Sequence, residues 1–254
     1  MNLDACRLLL LVAPQAHRRG VGTALFQAQL RQAAEAGRQR LITQGPVSDS
    51  MVGFARRHGG KRVDRDIMSI LDIRALDVPA FEGWAAPDAK NRTYRVRHWD
   101  DRCPDELAAT FCRAADAMAD APTNSTLQRM SSSVERLRAD EQRFAHLGVR
   151  RFVTAALDDT DTVAGYTLTG VVRGEPAMAQ VWNSVVLRSH RGHGLGLRLK
   201  AAAALRLRAS QPAVQCITTV NNEDNEPMLR INRALGYRKL TDWLTYEYPV
   251  PVPQ

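Results

Sequence analysis

The sequence predicts an α/β fold, because strand-like and helix-like patterns alternate along the 254 residues. Residues 93–254 follow the order β-α-α-β-β-β-α-β-α-β, which makes one complete domain. Residues 9–73 repeat the last part of this order, so a partial copy precedes the complete domain. A glycine-rich turn at 191–196 separates a strand from a helix in the complete domain.

The first half of the complete domain contains strands and helices of ordinary length. Alternating residues predict the strands, and apolar residues repeated on one face predict the helices. The predicted elements are a strand at Thr93–Trp99, a helix from Pro104, a break at 121–124, a helix from Ser133 whose face carries Val134, Leu137, Phe144 and Leu147, and strands at Phe152–Leu157 and Val163–Val172.

The second half surrounds the glycine-rich turn. A glycine ends the last predicted helix, as expected for a residue that must adopt a left-handed conformation. The predicted elements are a strand at Met178–Leu187, a helix at Leu195–Arg208, a strand at Val214–Val220, a helix at Glu226–Leu235 ended by Gly236, and a strand at Trp243–Val250.

The N-terminal copy begins at an apolar run, Leu9–Val12, which we predict to be its first strand. It continues with a helix at Thr23–Ala36, a strand at Leu41–Thr43, a helix at Met51–His58 and a strand at Lys61–Ile73. His17 and Arg18 take the positions of Arg191 and Gly192, while Gly20 and Gly22 match Gly194 and Gly196.

We therefore predict a partial, degenerate domain at 1–76, a linker at 77–92 and a complete domain at 93–254. Structural support of the complete domain is the favoured role of the partial copy, although its two matched glycines could still bind phosphate. A sheet that begins at its middle strand leaves an unpaired edge. The complete domain, a second copy in a homodimer, or residues lost to a misassigned start could cover this edge.

The composition and charge of the chain limit the classes of molecule that it is expected to bind. The net charge of +8, from 35 basic and 27 acidic residues, suits a phosphate-bearing cofactor or a nucleic acid. No lysine-rich tail or aromatic-interleaved basic motif accompanies it, so we expect no nucleic acid partner. The apolar run near the N-terminus is too short for a membrane span, and it lacks the basic start and the small-residue cleavage site of a signal peptide. We therefore expect a cytoplasmic protein without a membrane partner. The four cysteines lack zinc-site spacing, and we expect no metal.

The turn Arg191–Gly196 predicts an anion site. It joins a strand to a helix N-terminus, where free backbone N–H groups and the helix dipole favour phosphate. The dinucleotide fingerprint would require glycine where Leu197 stands, and the Gly-Lys-Ser/Thr of a P-loop is absent. The spacing therefore excludes these two nucleotide sites.

What remains, R-x-x-G-x-G, resembles the acyl-CoA motif of the GNAT acyltransferase superfamily. The resemblance implies a mixed, mostly antiparallel sheet flanked by helices, with acetyl-CoA or another acyl-CoA as cofactor. It also implies that the strand before the turn splays from its neighbour and binds the pantetheine arm. The cofactor residues so implied are Ser184, Val185, Val186, Arg191, Gly192, His193, Gly194, Leu195 and Gly196.

A second segment resembles the family's next motif. Asn221, Asn225, Asn232 and Gly236 match a branch of tandem actinobacterial enzymes that are mycothiol-synthase-like. The resemblance implies that the three asparagines bind the cofactor. Without it, Asn225 would be a helix N-cap and Asn232 an ordinary surface residue.

The proton path is less clear from the sequence. Many family members have a tyrosine at the position of Asn232, where it protonates the leaving thiolate, and an asparagine amide is no proton donor. A CoA thiolate with a pKa of about 8.5 could leave unprotonated or take its proton from water. The candidate catalytic residues are Asn183, Glu223, Asp224 and His190. The alternative for the last three is a plain surface residue, which such residues more often are.

The predicted function is that of an acyl-CoA-dependent N-acyltransferase, and an N-acetyltransferase first of all. A small-molecule amine would attack the thioester directly, without a covalent enzyme intermediate. The alternative is a non-catalytic module of the same fold that binds CoA or a protein partner. A basic nucleic-acid binder comes third.

Overall fold

The computed structural model describes residues 4–120 and 131–251, with no side-chain detail at 119 and 120. The strands are β1 (Ala5–Leu8), β2 (Arg40–Pro46), β3 (Lys61–Asp72), β4 (Arg95–Asp100), β5 (Val149–Leu157), β6 (Val163–Val172), β7 (Met178–Val186), β8 (Cys216–Asn222) and β9 (Arg238–Pro249). The helices are α1 (Val21–Glu35), α2 (Asp49–Arg57), α3 (Val78–Ala85), α4 (Asp105–Asp116), α5 (Val134–His146), α6 (Leu195–Ser210) and α7 (Glu226–Ala234).

The described residues form two compact units. The first contains 4–67 and 241–251, and the second contains 68–120 and 131–240. The predicted domain boundaries at 76 and 93 stay predictions. The segment expected to be a linker contains α3, which packs on α6 within the second unit through Phe81 and Trp84.

The second unit has the predicted α/β architecture. Its strands lie in the order β8-β7-β6-β5-β4. The pairs β4–β5, β5–β6 and β6–β7 are antiparallel, whereas β7–β8 is parallel. The order of elements from β4 to β9 matches the prediction, and the mixed, mostly antiparallel sheet is confirmed.

Helices cover both faces of this sheet because the strands carry apolar residues on both sides. Phe111 of α4 contacts the rings of Trp99 and Tyr166, with centroids 5.5 and 4.6 Å apart. On the other face, Leu199 of α6 packs with Ala164 of β6. The centre of the sheet is therefore buried, and β6 is buried along almost its whole length.

Two sequence predictions about apolar residues were wrong. Leu9–Val12 is not a strand, because β1 is Ala5–Leu8 and ends directly before this run. The side chains of Leu9 and Leu11 are 75% and 76% exposed. An apolar run does not reveal whether a neighbour pairs with it, and β2 pairs with Ala5–Leu8 instead. Val134 and Leu147, expected on the buried face of α5, are exposed at its ends. The predicted break at 121–124 lies outside the described residues.

The first unit places β1 parallel to β2 and β2 antiparallel to β9. Its core packs Phe26 against Phe54 and Tyr248, with ring centroids 5.5 and 4.8 Å apart. Gly60 permits this packing, because a Cβ there would lie 2.6 Å from the Tyr248 ring. Among the described residues, β1 pairs with β2 on one side and with no strand on the other. The predicted unpaired edge is therefore present at β1.

The partial repeat is visible in the backbone. Gly20 (φ 81°) precedes α1 just as Gly194 (φ 74°) precedes α6. The side chain of His17 bonds to the carbonyl of Val12 at 2.8 Å. In the second unit, Arg191 makes the equivalent bond to Val186, five residues earlier, at 3.1 Å. These matches agree with a tandem architecture.

None of the helices in 4–120 and 131–251 combines the length and the apolar character that a bilayer crossing requires.

One buried cation stands apart from this packing. Lys200 of α6 is 4% exposed, and its Nζ lies 4.9 Å from the centre of the Tyr237 ring. No hydrogen-bond acceptor reaches Nζ among the described residues. Burial lowers the pKa of this ammonium from 10.5 to about 7. The unfolded chain therefore holds this proton over a pH range in which the folded chain releases it, so the buried amine destabilises the fold increasingly as pH falls from about 10.5 to 7.

We expect Lys200→Met to raise the free energy of unfolding at pH 7.5, because a buried ammonium without an acceptor is costly. The wild type should gain up to about 1.4 kcal/mol per pH unit between pH 7 and 9, and the variant should lose this dependence. Urea unfolding at several pH values measures both. The exposed Lys61→Met is the control, and an equal pH dependence in Lys200→Met would contradict the assignment.

Candidate functional site

The candidate site begins where two central strands separate. The parallel pairing of β7 with β8 runs from Met178↔Cys216 to Val181↔Thr219. Beyond it, β7 continues to Val186 and β8 to Asn222 with no further register pair in the described chain. The backbone N–H and C=O groups of 182–186 that face β8 therefore lack a strand partner and can bind a ligand.

A bulge in β7 lies at the start of this gap. Leu168 of β6 pairs with Asn183, but the next residue, Thr169, pairs with Val181, so Trp182 is the extra residue. The indole of Trp182 lies against Gly170, where a Cβ would come within 2.3 Å of it. The bulge thus turns β7 away from regular pairing at the point where β8 also departs.

The next two residues of β7 are held from the β6 side. Ser184 Oγ lies 2.8 Å from Thr167 Oγ1. The Thr167 hydroxyl also donates to the Asn183 carbonyl at 3.3 Å. Burial raises the pKa of the Tyr166 phenol, although its hydrogen bond with the Asn183 side chain lowers it. Asn183 is therefore a fixed polar group beside the bulge, and its amide has no basic electron pair for proton transfer.

The anion loop, Arg191–Leu195, follows the open end of β7. Gly192 (φ 85°) and Gly194 (φ 74°) have left-handed backbones, which explains glycine at both positions. Gly196 has another reason: a Cβ there would lie 2.9 Å from Ile231 of α7. The loop leads into the N-terminus of α6, whose first N–H groups point towards the space in front of the loop.

The predicted cofactor residues differ in whether the side chain or only the backbone is available to a ligand. Arg191 is bonded back to the end of β7 through its Nε. The side chains of Val185 and Leu195 are buried in the core, so only their backbones are available to a ligand. His193 Nδ1 lies 3.1 Å from the Arg191 carbonyl, and Val186 packs towards α6.

Asn232 of α7 is buried beside Asn221 of β8. It is 2% exposed, so its interpretation as an ordinary surface residue was wrong. Its Nδ2 donates to Asn221 Oδ1 at 2.7 Å. Its Oδ1 is buried and has no donor among the described residues. A buried acceptor without a donor fits a ligand N–H group.

Asn225 caps α7, because its Oδ1 accepts from the Met228 amide at 3.3 Å. The capping interpretation of this residue is therefore confirmed, and a bond from it to the cofactor stays a prediction. Gly236 (φ 81°) ends the α7 segment in the left-handed conformation, as predicted.

The candidate acid and base residues lie in two places. Glu223 and Asp224 are exposed in the turn after β8, where the Asp224 amide donates to Asn222 Oδ1. His190 lies behind the anion loop, with Nδ1 3.0 Å from the Tyr94 hydroxyl. The role of these three residues as proton carriers and a catalytic role of Asn183 stay predictions.

Three residues near the loop carry no motif and were missed. Asn91 and Tyr94 come from the segment before β4, and Arg198 comes from the second turn of α6. Their contacts span about a hundred residues of sequence, so no local pattern could have indicated them.

Comparison with known proteins agrees with this geometry. Residues 117–237 match the family model described as Acetyltransferase (GNAT) family. The chain carries a GNAT domain.

The fold is also that of solved GNAT structures. A tandem GNAT protein from the clavulanic acid biosynthesis pathway, solved without AcCoA, has a TM-score of 0.82 and 29% identity, over 99% of this chain and 76% of that one. A GCN5-related N-acetyltransferase from Sphaerobacter thermophilus has a TM-score of 0.65 and 17% identity, over 98% and 74%. One from Kribbella flavida has a TM-score of 0.57 and 16% identity, over 90% and 76%. No curated protein matches the chain. The mycothiol-synthase-like branch stays a prediction.

The residues of this GNAT domain fit coenzyme A. The left-handed glycines and the α6 N-terminus suit its pyrophosphate, and the unpaired edge of β7 suits the amides of its pantetheine arm. The unsatisfied Oδ1 of Asn232 suits an amide N–H of the same arm.

We expect Gly194→Glu to lower acetyl-CoA affinity at least about 100-fold, because it strains the left-handed backbone and puts a carboxylate beside the phosphates. Gly174→Glu is the matched control, since Gly174 has open space around its Cβ position. Calorimetry measures both affinities. Unchanged binding by folded Gly194→Glu would refute the assignment of the loop.

We expect Asn232→Leu to separate binding from stability. Leucine removes the unsatisfied buried oxygen and also the donor to Asn221 Oδ1, and because these two effects oppose each other the melting temperature should change little. Acetyl-CoA affinity should fall about tenfold, the effect of one lost hydrogen bond. Calorimetry and thermal unfolding of the same samples provide the comparison. A variant that loses stability but binds acetyl-CoA normally would contradict this role.

Proposed function

We propose that the protein is an acyl-CoA-dependent N-acyltransferase, most simply an N-acetyltransferase, that acts on the amine of a small molecule. One observation carries this proposal: the gap between β7 and β8 leads directly into the anion loop. An unpaired backbone edge that ends at a helix N-terminus suits a long, flexible thioester with phosphates at its far end.

Each part of the site has a separate task. The backbone amides of the anion loop would bind the pyrophosphate. The free edge of 182–186 and the Asn232 amide would hold the pantetheine arm. The bound cofactor supplies an activated thioester carbonyl. The bulge at Trp182 leaves backbone N–H groups that would donate to the carbonyl oxygen as negative charge develops on it.

The reaction we propose is direct transfer. The amine nitrogen bonds to the acyl carbon, the carbon–sulfur bond breaks, the amine loses a proton, and CoA leaves as thiolate or thiol. A cysteine nucleophile is disfavoured, because burial raises the pKa of Cys6, Cys112 and Cys216, and raises that of Cys103 to about 12. The main task of the chain is thus to hold two reactants together.

Asn232 cannot donate a proton to the leaving sulfur at neutral pH. We therefore propose that the thiolate leaves unprotonated or takes a proton from water, since a pKa of about 8.5 makes it an adequate leaving group. His190, Glu223 and Asp224 stay candidates for accepting the proton of the amine.

The positive net charge is assigned in this proposal to binding of the CoA phosphates rather than of nucleic acid. A homodimer that covers the edge of β1, and a cytoplasmic location, stay predictions.

We expect acetyl-CoA to bind and CoA thiol to be released only when a suitable amine is added. Calorimetry tests binding, and a thiol-reactive dye tests turnover over a panel of small primary amines. Gly194→Glu should abolish both signals. Acetyl-CoA binding without turnover of any amine would favour the non-catalytic module, and absence of binding would refute the proposal entirely.

A further inference from the structure

The segment 88–94, which precedes β4, touches the back of the anion loop. The Asn91 side chain is 3% exposed, and its Nδ2 donates to the His193 carbonyl at 3.2 Å. A Cβ added to Gly194 would lie 3.6 Å from the same nitrogen. The Asn91 amide therefore lies directly behind the two residues in the middle of the loop.

The orientation of this amide is fixed by its other contacts. Arg198 Nη1 donates to Asn91 Oδ1 at 3.0 Å and to the Asn91 carbonyl at 2.8 Å. The Asp88 amide donates to Asn91 Oδ1 at 3.0 Å. Because both partners of Oδ1 are donors, the NH₂ group must face the loop.

Arg198 brings a buried positive charge to the same place. It is 6% exposed, and its remaining bonds go to the carbonyls of Ala85 and Tyr94, both at 3.2 Å. Burial lowers the pKa of this guanidinium, while the nearby charge of Asp88 raises it. An arginine stays protonated in proteins, so its charge adds to the positive end of the α6 dipole.

Tyr94 makes a second contact with the loop. Its hydroxyl lies 3.0 Å from His190 Nδ1, and its ring centroid is 5.7 Å from the rings of both His190 and His193. Burial, followed by the charges of Asp158 and Asp159, raises the pKa of Tyr94, so the phenol stays protonated and neutral. His190 Nε2 then faces Asp158 Oδ2 at 3.9 Å.

We propose that Asn91 and Tyr94 are positioning residues of the cofactor site, which hold the anion loop in the conformation that receives phosphates. This inference rests on the proposed function. A loop with two left-handed glycines has many conformations available, and fixing it before binding lowers the cost of binding. Both residues lie outside the segment that matches the GNAT family model, which begins at residue 117.

Two variants test the proposal. Asn91→Asp keeps the shape and the acceptor for Arg198, but it removes the donor to His193 and adds negative charge behind the loop. We expect it to lower acetyl-CoA affinity tenfold or more, since about tenfold corresponds to one lost hydrogen bond. Tyr94→Phe removes only the hydroxyl, and we expect a several-fold rise in KM for acetyl-CoA with kcat unchanged.

The control variant is Tyr248→Phe, which removes a buried hydroxyl that bonds to Thr43 in the other unit. The control ligand is S-acetylpantetheine, which lacks the phosphates of acetyl-CoA. A positioning role predicts that both variants weaken acetyl-CoA binding and leave S-acetylpantetheine binding unchanged, with Tyr248→Phe normal for both. Thermal unfolding identifies a variant that has merely lost stability, and Tyr94→Phe decides the question if Asn91→Asp does not fold.

The outcomes are distinguishable. If the wild type fails to bind acetyl-CoA, the proposed function fails and the inference fails with it. If the wild type binds and both variants bind within about twofold of it, the positioning role is overturned while the function stands. An equal loss of affinity for both ligands would likewise overturn it, because a general structural defect does not select for phosphate.

Discussion

Beyond Val181 and Thr219, the two parallel strands at the centre of the second unit no longer pair, and the candidate site exists because of that separation. A paired β7 would use its backbone groups on β8, and no ligand could enter the sheet. The bulge at Trp182 begins the separation, and Gly170 permits the bulge by leaving room for the indole. The buried, antiparallel strands on the other side keep β7 in place while its opposite edge is open.

The anion loop depends on the same strand and on a set of contacts behind it. Arg191 ties the loop to the end of β7, and Asn91 ties its middle to Arg198 of α6. The hydrogen bonds that Arg198 makes to described residues go to neutral carbonyl and amide oxygens, so its positive charge adds to that of the α6 N-terminus. Such an arrangement is costly in an empty protein and favourable once phosphates are bound.

Comparison of the two copies separates what the architecture requires from what the ligand requires. In both copies a left-handed glycine precedes the helix, and a side chain of the turn is hydrogen-bonded to the carbonyl of the residue five positions earlier. These features therefore belong to the turn itself. Arg18 (φ 61°) stands in the left-handed position that Gly192 fills in the second copy.

The sequence by itself determined the order of elements from β4 to β9, the glycine-rich turn and the likeness to the GNAT family, because each depends on residues close together in the chain. Spacing of glycines around 191–196 and the alternation of apolar residues are local patterns, and the structure preserves them. Only the tertiary structure decided that β1 precedes Leu9, that Asn232 is buried with an unsatisfied oxygen, and that Asn91 lies against the loop. These facts depend on which distant segments meet, since β2 selects the residues of β1 and Arg198 fixes an asparagine 107 positions away. Periodicity records which side of an element is apolar, but it does not identify the partner that packs against it.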